Sequence, residues 1–557
     1  MSISQPLHRQ ESKWLLFFIG LAILVNFSGL FIPIMDFDAG VYASLAKNMV
    51  LRNDYVNLFF QGNDWLDKPH FPFWITAFSF KLFGIHTWSY KLPGILFVLI
   101  GAYYTYLFAR RYYNSTVALW AVFILLTAEH IIISNNDIRA EPFLTGLIIA
   151  SIYHFSRSVN SKIGWHLIAA SFFAACSIMT KGLFTLIPIG GAIAGGLIIK
   201  KEWKLVFHWR WLIAILLIAL FTIPELYCLW SQFDNHPEKI VFGKTGVSGI
   251  RFFLWDSQFG RFTNTGPIKG RGDYFYFLHT LLWAFLPWSL VMYAALINKI
   301  RNGIRKTYNK NEEWFTIIGS LFTLLIFSLS RFQLSYYCNI IFPLLAILTA
   351  GYLFKIKDSA SAIFKIIQNS FSVIILIGGI LLLVFYSPVI NSYLLLSMVA
   401  GLILLLILFP LWLKVNSNIS AIYRAGLASL AVNLFLNCFF YPDLLKYQSS
   451  TEAAFYINDK YPGVPAGRFN IYAPAFEFYI KDSLLKADTT ATKMPTPGRN
   501  CILYVTEKEL AFIKKQGRPY EIIKELNEFH VAMLTEKFID KRSRNETLKK
   551  YFLVKIL

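Results

Sequence analysis

The chain has 557 residues, of which 56% are hydrophobic and only 15% charged, with a formal net charge of +21. Apolar stretches in that proportion exclude a string of soluble domains and indicate a polytopic membrane protein. No nucleic-acid-binding motif accompanies the positive charge, so no nucleic acid is expected as a partner; in a membrane protein such charge marks loops held in the cytoplasm.

At the N-terminus, His8, Arg9 and Lys13 precede an apolar run that ends near residue 34. "NFSGLFIPIMD" offers no small-residue cleavage site, which predicts an uncleaved anchor with its N-terminus inside. A window of about 19 residues places further candidate spans near 91–109, 117–134, 141–157, 164–180, 183–199, 209–230, 275–297, 314–330, 336–355, 366–388, 391–413 and 423–441. With the first span, 14–34, that makes about thirteen transmembrane helices. If the first runs outward, the inner loops include "RRYYN", "KKEWK", "NKIRNGIRKTYNK" and "FKIK". These are the basic ones, as the positive-inside rule requires.

The outer loops differ in character. Two are long, about 36–90 and 231–274, and mix aromatics with both charges; "SNNDIRAE", "MTKG" and "SRFQLSYY" are short and polar. An odd number of spans puts the tail outside. Within it "RFNIYA" and "NCILYV" read as strands, and "EKELAFIKKQ" and "EIIKELNEF" as helices. The expected organisation is a transmembrane domain over 1–441 and a small extracytoplasmic α/β domain over 442–557. The five cysteines, Cys176, Cys228, Cys338, Cys438 and Cys501, show neither zinc spacing nor a disulfide framework.

Under this topology Asp36, Asp38, Asp67, Lys68, Asp137, Arg139, Glu141, Lys181, Arg261, Lys269, Arg271 and Arg331 fall on one membrane face. Ionisable groups at a bilayer edge are solvated, paired or functional. Asp36 and Asp38 read either as a solvated cap on the amphipathic Val41, Leu45, Ala46, Met49 pattern or as a general base placed to meet a lipid-borne substrate. Lys68 stands before Pro69 and Pro72, which deny the segment a regular helix. With Arg261, Lys269 and Arg271 it suggests an anion site beside the membrane, because phosphate recognition favours convergent Arg and Lys.

The motifs "DFDAGVYASLAKNM", "WLDKPHFPFWITAFSFKLFG" with "YKLPG", "DIRAEPFLTG", "MTKGLFTLIP", "FGRFTN…KGRGDYFYFL…FLPWSL" and "SLSRFQLSYYCNIIFPLLAI" occur in this order. Together they resemble the bacterial lipid A aminoarabinose transferases, relatives of the protein O-mannosyltransferases among the glycosyltransferases of the GT-C fold. The resemblance covers about residues 14–360 by motif and the rest by architecture. It implies a polyprenyl-phosphate sugar donor, inverting transfer outside the inner membrane, and Asp38 as catalytic base. Ala39 stands where the family has its second acidic residue. By the same resemblance Lys68, Arg261, Arg271 and Lys181 are expected at the donor phosphate. Asp36, Tyr42, Asp67, Asp137, Arg139, Glu141, Arg331 and Tyr337 are expected to orient the base or meet sugar or acceptor. Gln258 stands where some relatives carry a His, which leaves a divalent metal an open question and no cofactor certain. Leu334, Ser335, Tyr336 and Tyr337 replace the relatives' Leu-Pro-x-Tyr.

The chemistry agrees from below. A polyprenyl-phosphate sugar brings its own phosphate leaving group, so no Gly-rich nucleotide loop is required. The acceptor stays open among a lipid A-like glycolipid, a glycan and a protein hydroxyl, and membrane lipids surround the spans. The rival from another class is a polyprenyl-linked lipid or small-molecule transporter or flippase. That reading predicts ionisable residues at mid-span and two related halves.

Overall fold

The computed structural model describes residues 9–35, 37–159, 163–265, 269–305, 312–355, 358–388, 417–481, 485, 500–517 and 519–557. Asp36 and the expected span at 391–413 lie outside them. Eleven helices lead through the first half: α1 (Arg9–Ser28), α2 (Asp38–Arg52), α3 (Phe71–Phe83), α4 (Thr87–Tyr112), α5 (Ser115–Thr127), α6 (Glu129–Asn136), α7 (Ala140–Val159), α8 (Trp165–Lys181), α9 (Leu186–Ile199), the short α10 (Trp203–Val206) and α11 (Arg210–Leu229). Helices Tyr276–Ala284, Ser289–Ile304, Phe315–Leu329, Phe342–Leu353, Asp358–Tyr386 and Ser417–Phe435 follow.

Among the described residues five helical segments are long and apolar enough to cross a membrane: Thr87–Tyr112, Trp203–Asp234, Ser335–Leu353, Ala362–Tyr386 and Ile419–Tyr447. A sixth forms if α5 and α6, bent by 51° at Ala128, count as one. Most other expected spans are shorter helices, so thirteen crossings are not established by length and composition. The span expected at 275–297 is interrupted between Ala284 and Ser289, where Pro287 supplies no amide hydrogen. The surface is inverted relative to a soluble protein: along α11, Leu212, Ile215, Leu216, Leu220 and Ile223 are exposed while Thr222 and Glu225 are buried. Lipid tolerates that pattern and water does not.

Without a hydrophobic drive between helices, small residues and polar side chains hold the bundle. Asn26 donates to the Leu126 carbonyl at 2.9 Å and accepts from Asn135 at 2.7 Å. Asn437 accepts from Asn136 at 2.7 Å and donates to Ser28 at 2.8 Å. This chain of amides ties α1, α5 and α6 to the segment after Phe435. Where α4 crosses α7, a Cβ on Gly146 would lie 2.3 Å from the Phe97 carbonyl oxygen. Gly146→Ala is therefore expected to cost about 1–3 kcal/mol, read as a lower thermal unfolding midpoint of the detergent-purified chain. An unchanged midpoint would contradict the close crossing.

Strands β1 (Phe59–Phe60) and β2 (Asn63–Asp64) pair antiparallel between α2 and α3. Beyond residue 448 the chain changes character. Strands β3 (Ala466–Arg468), β4 (Cys501–Thr506), β5 (Tyr520–Glu528) and β6 (Lys549–Ile556) form a sheet in the order β3-β4-β6-β5, with β3 parallel to β4 and the other pairs antiparallel. Helices Ser449–Lys460, Pro474–Tyr479 and Glu507–Lys515 accompany it. Two sequence expectations need correction. "EIIKELNEF" forms β5 rather than a helix: its spacing of Ile522, Ile523 and Leu526 suits either, and antiparallel pairing with β6 decides it. Of "RFNIYA", only Arg468 is in a strand.

Candidate active site

Helix α2 and three distant loops converge. α2 opens on Asp38, directly after Phe37, whose backbone sits at φ 66° and ψ −120°. Two residues of "YKLPG" prepare that entry. Lys91 is buried and donates to the Gly29 and Ile32 carbonyls at 3.1 and 2.8 Å, closing the end of α1. Tyr90 donates to the Ile138 carbonyl at 2.6 Å and so holds the loop between α6 and α7.

From that loop Arg139 reaches both carboxylates, donating to Asp38 at 2.9 Å and to Asp137 at 2.5 Å. The Asp38 side chain is 49% exposed against 15% for Asp137, so Asp38 is the carboxylate a substrate can meet. Burial raises the Asp137 carboxyl above its ordinary range, against the pull of Arg139. Tyr336 donates towards Asp38 at 3.4 Å, and its ring lies 4.7 Å from the Arg139 guanidinium.

Beside this group, Lys181 at the end of α8 pairs with Glu141 at the start of α7. Both are buried. The Lys181 ammonium stands 4.1 Å from the Tyr337 ring and 5.2 Å from the Tyr336 ring, so the two adjacent tyrosines bridge the Asp38 group to the Lys181 group. Tyr42 is buried against Phe73, with ring centroids 5.0 Å apart. Burial raises its hydroxyl well above the ordinary value, and the nearby Glu141, Asp38 and Asp67 carboxylates add to this.

The third group forms on Asp67, which accepts from both Lys68 and Arg261. Burial tends to raise this carboxyl, but Lys68 and then Arg261 outweigh it and hold it below the usual range. The segment is anchored from behind: Glu225 of α11 accepts from the His70 amide at 3.0 Å and meets its ring Nδ1 at 3.0 Å. Counted formally, the Asp67 group carries one net positive charge and the Asp38 group one net negative charge, with a neutral pair between them. A cavity of about 90 Å³ opens at the positive end. Its polar lining includes the cations Lys68, Lys181 and Arg261 with the carboxylates Asp67 and Glu225 that pair or anchor this segment, and its apolar lining is rich in phenylalanine, among them Phe184, Phe252, Phe253, Phe327 and Phe332. Such a lining suits an amphiphile with an anionic head.

The structure thus brings together Asp38, Tyr42, Asp67, Lys68, Asp137, Arg139, Glu141, Lys181, Arg261 and Tyr337. It does not bring Arg271 or Arg331 into the ion pairs: both are exposed, and among the described residues neither pairs with a carboxylate. Arg331 sits between Ser330 and Phe332, which line the cavity, and the Arg271 segment packs its backbone against that turn. Asp36 lies outside the described residues. Tyr336 and Glu225 carry more of the site than their sequence context suggested. An ionisable residue beside Pro224 within an apolar run was the available signal for Glu225. For Tyr336 it was only its place in "SYYC".

A metal does not fit here. Asp67 is already held by two cations, and Gln258 accepts from the Phe184 amide and donates to Ser257. Among the described residues no cluster of three or more His, Cys, Asp or Glu side chains could hold one.

Residues 67–228 match the family profile described as dolichyl-phosphate-mannose-protein mannosyltransferase. The undecaprenyl phosphate-alpha-4-amino-4-deoxy-L-arabinose arabinosyl transferase of Edwardsiella ictaluri is 25% identical over 320 residues, 56% of this chain and 54% of that protein. The Pseudomonas aeruginosa protein of the same name is 25% identical over 342 residues, 59% of this chain and 57% of its own. The chain thus spans little more than half the length of these relatives. Over 98% of both chains, the fold superposes on the crystal structure of ArnT from Cupriavidus metallidurans bound to undecaprenyl phosphate, with a TM-score of 0.73 and 18% identity. In sequence the chain is thus similar to the mannosyltransferase profile and to the aminoarabinose transferases, and in fold it is similar to the Cupriavidus structure.

Proposed function

We propose that this chain is an inverting glycosyltransferase that moves a sugar from a polyprenyl-phosphate donor to an envelope acceptor, a lipid A-like glycolipid, a glycan or a protein, on the outer face of the inner membrane. The observation that carries the reading is the separation of charge within one site. An accessible carboxylate, Asp38, stands at one end and the cations Lys68 and Arg261 at the other, beside a cavity with an apolar wall. The Cupriavidus structure with undecaprenyl phosphate supports the same donor class.

In this reading Asp38 takes the proton of the acceptor hydroxyl as its oxygen attacks the anomeric carbon from the face opposite the phosphate. The bond from that carbon to the phosphate oxygen breaks, and its electron pair leaves with the polyprenyl phosphate. The donor is a phosphodiester with one negative charge; the leaving phosphate carries more. Lys68 and Arg261 meet that added charge, with Lys181 behind them. Arg139 orients Asp38, and Asp137 holds Arg139. Tyr42 and Tyr337 shape the space between the two ends. The proposal includes about thirteen spans with the N-terminus inside, a catalytic membrane domain over 1–441 and an outer α/β domain over 442–557.

Binding tests the donor half directly. Native mass spectrometry of the chain in nanodiscs, titrated with undecaprenyl phosphate, is expected to show one saturable site. Undecaprenol, which lacks the phosphate, is expected to bind at least about tenfold more weakly. Equal affinities would contradict phosphate recognition.

A further inference from the structure

The C-terminal segment, whose sheet lies far along the chain from the site, grips the chain around Asp38 at successive points. Before the helix, Tyr479 accepts from the Ile34 amide at 2.8 Å and Gln448 donates to the Ile34 carbonyl at 3.0 Å. Directly before Asp38, the Phe37 ring lies 6.2 Å from that of Tyr472 and 5.1 Å from that of His530. Phe37 is also the residue at positive φ, a conformation strained for a non-glycine residue that persists only when its surroundings enforce it.

Along α2 the fit is tight. A Cβ on Gly40 would stand 2.8 Å from the Ala475 backbone nitrogen. Ser44 donates to the Pro474 carbonyl at 3.1 Å. One turn further on, the buried Lys47 donates to the carbonyls of Glu477, Phe478 and Ile480 at 2.9, 2.9 and 2.6 Å. A cation there satisfies the orphan carbonyls at the end of the Pro474–Tyr479 helix. Asn48 adds a bond to the Glu477 carboxylate at 3.2 Å.

Lys47 has no place in the transfer chemistry. Nine residues after Asp38 it lies about 13 Å away along the helix axis, among main-chain oxygens and not beside the cavity. Burying a lysine is costly unless its bonds are all made; burial lowers this ammonium to about 8 even with Glu477 opposing it. The return on that cost is geometric, because a helix held at both ends fixes the carboxylate at its first residue.

We propose that the C-terminal segment is the positioning element of the active site, and that Lys47 is a positioning residue which sets Asp38 by locking α2 against the Pro474–Tyr479 helix. The inference rests on the glycosyltransferase reading for the role of Asp38, but the lock itself can be measured without it. Lys47→Met, Lys47→Arg and Tyr479→Phe would be compared with the parent as full-length chains in nanodiscs. Three quantities would be read: hydrogen exchange of the α2 amides, undecaprenyl phosphate affinity, and sugar addition to envelope acceptors in cells.

Lys47→Met is expected to speed α2 exchange at least tenfold and to lower sugar addition at least tenfold, with undecaprenyl phosphate affinity within twofold of the parent. Tyr479→Phe, which removes one oxygen from the opposite side of the contact, is expected to move exchange and addition in the same direction by a smaller factor. Lys47→Arg keeps cationic donors and is expected to restore sugar addition to within threefold. Unchanged exchange in Lys47→Met overturns the lock. Faster exchange with full sugar addition overturns the positioning role. A parallel loss of affinity, addition and folded yield that Lys47→Arg does not relieve makes the contact merely structural and also overturns it. If the parent adds no sugar at all, it is the glycosyltransferase reading that fails, and the exchange comparison still decides the lock.

Discussion

Asp38→Asn is expected to lower sugar transfer by about 10²–10⁴-fold, the range a general base contributes, while leaving undecaprenyl phosphate affinity within about twofold of the parent. The substitution is isosteric, so α2 keeps its first residue and the amide can still accept from Arg139 and Tyr336, which meet Asp38 at 2.9 and 3.4 Å. What it loses is the capacity to take a proton. Asp137 cannot substitute. Its side chain is 15% exposed and turned into the Arg139 contact, so no acceptor hydroxyl reaches it without displacing the arginine. Turnover by Asp38→Asn comparable to the parent would remove Asp38 as the base. A matching fall in donor affinity would instead place Asp38 in ground-state binding.

The second large effect concerns the other end of the site. Lys68→Ala and Arg261→Ala are each expected to weaken undecaprenyl phosphate binding by about 30-fold or more, since truncating one member of a buried charge pair costs about 2–5 kcal/mol. The two are not interchangeable. Lys68 reaches Asp67 from the adjoining residue, whereas Arg261 reaches it from the segment after α11 with its guanidinium 5.6 Å from the Phe332 ring. A planar fork stacked on an aromatic is poorly replaced by an ammonium, so Arg261→Lys is expected to recover little of the loss. Isothermal titration in detergent reads both numbers. Unchanged affinity in Lys68→Ala would count against the phosphate role, and full recovery in Arg261→Lys would show that charge alone matters there.

Much of this site could be read before any coordinates. Asp38, Asp137, Arg139 and Lys181 each sit where an apolar run gives out, Lys68 and Arg261 fall in the two long loops, and alternation of basic loops leads one to expect all six on one face. Charge at a bilayer edge is too costly to be accidental, which is why linear sequence carries that signal. The pairing was not legible. Nothing near Lys181 says that its partner is Glu141 rather than a substrate phosphate, and nothing near Asp67 says that it binds two cations at once. Arg271 and Arg331 are a different case. They share the motifs and the face, yet remain exposed, because a basic residue on an outer turn looks the same in sequence whether it points at the site or at water.

The helical membrane bundle followed from the apolar runs, within the limits set by helices such as α5 and α6 that bend partway. The C-terminal segment was harder. "EIIKELNEF" has spacing suited to a helix and became an edge strand because β6 offered it a ladder. The grip on α2 joins residues more than 400 positions apart, and no local pattern announces a contact of that range. Nothing in the sequence singles out Lys47; its three carbonyl partners do.

The central claim is transfer of a sugar, and mass spectrometry of envelope lipids and glycans tests it most directly. Cells lacking the gene would be compared with cells carrying the parent or Asp38→Asn chain at matched membrane abundance. The expected result is a sugar-sized mass on one acceptor class that is present with the parent and absent from both the deletion and the Asp38→Asn cells. If every mass persists in the deletion, with no other transferase able to supply it, the chain is not the transferase and the transporter reading takes its place.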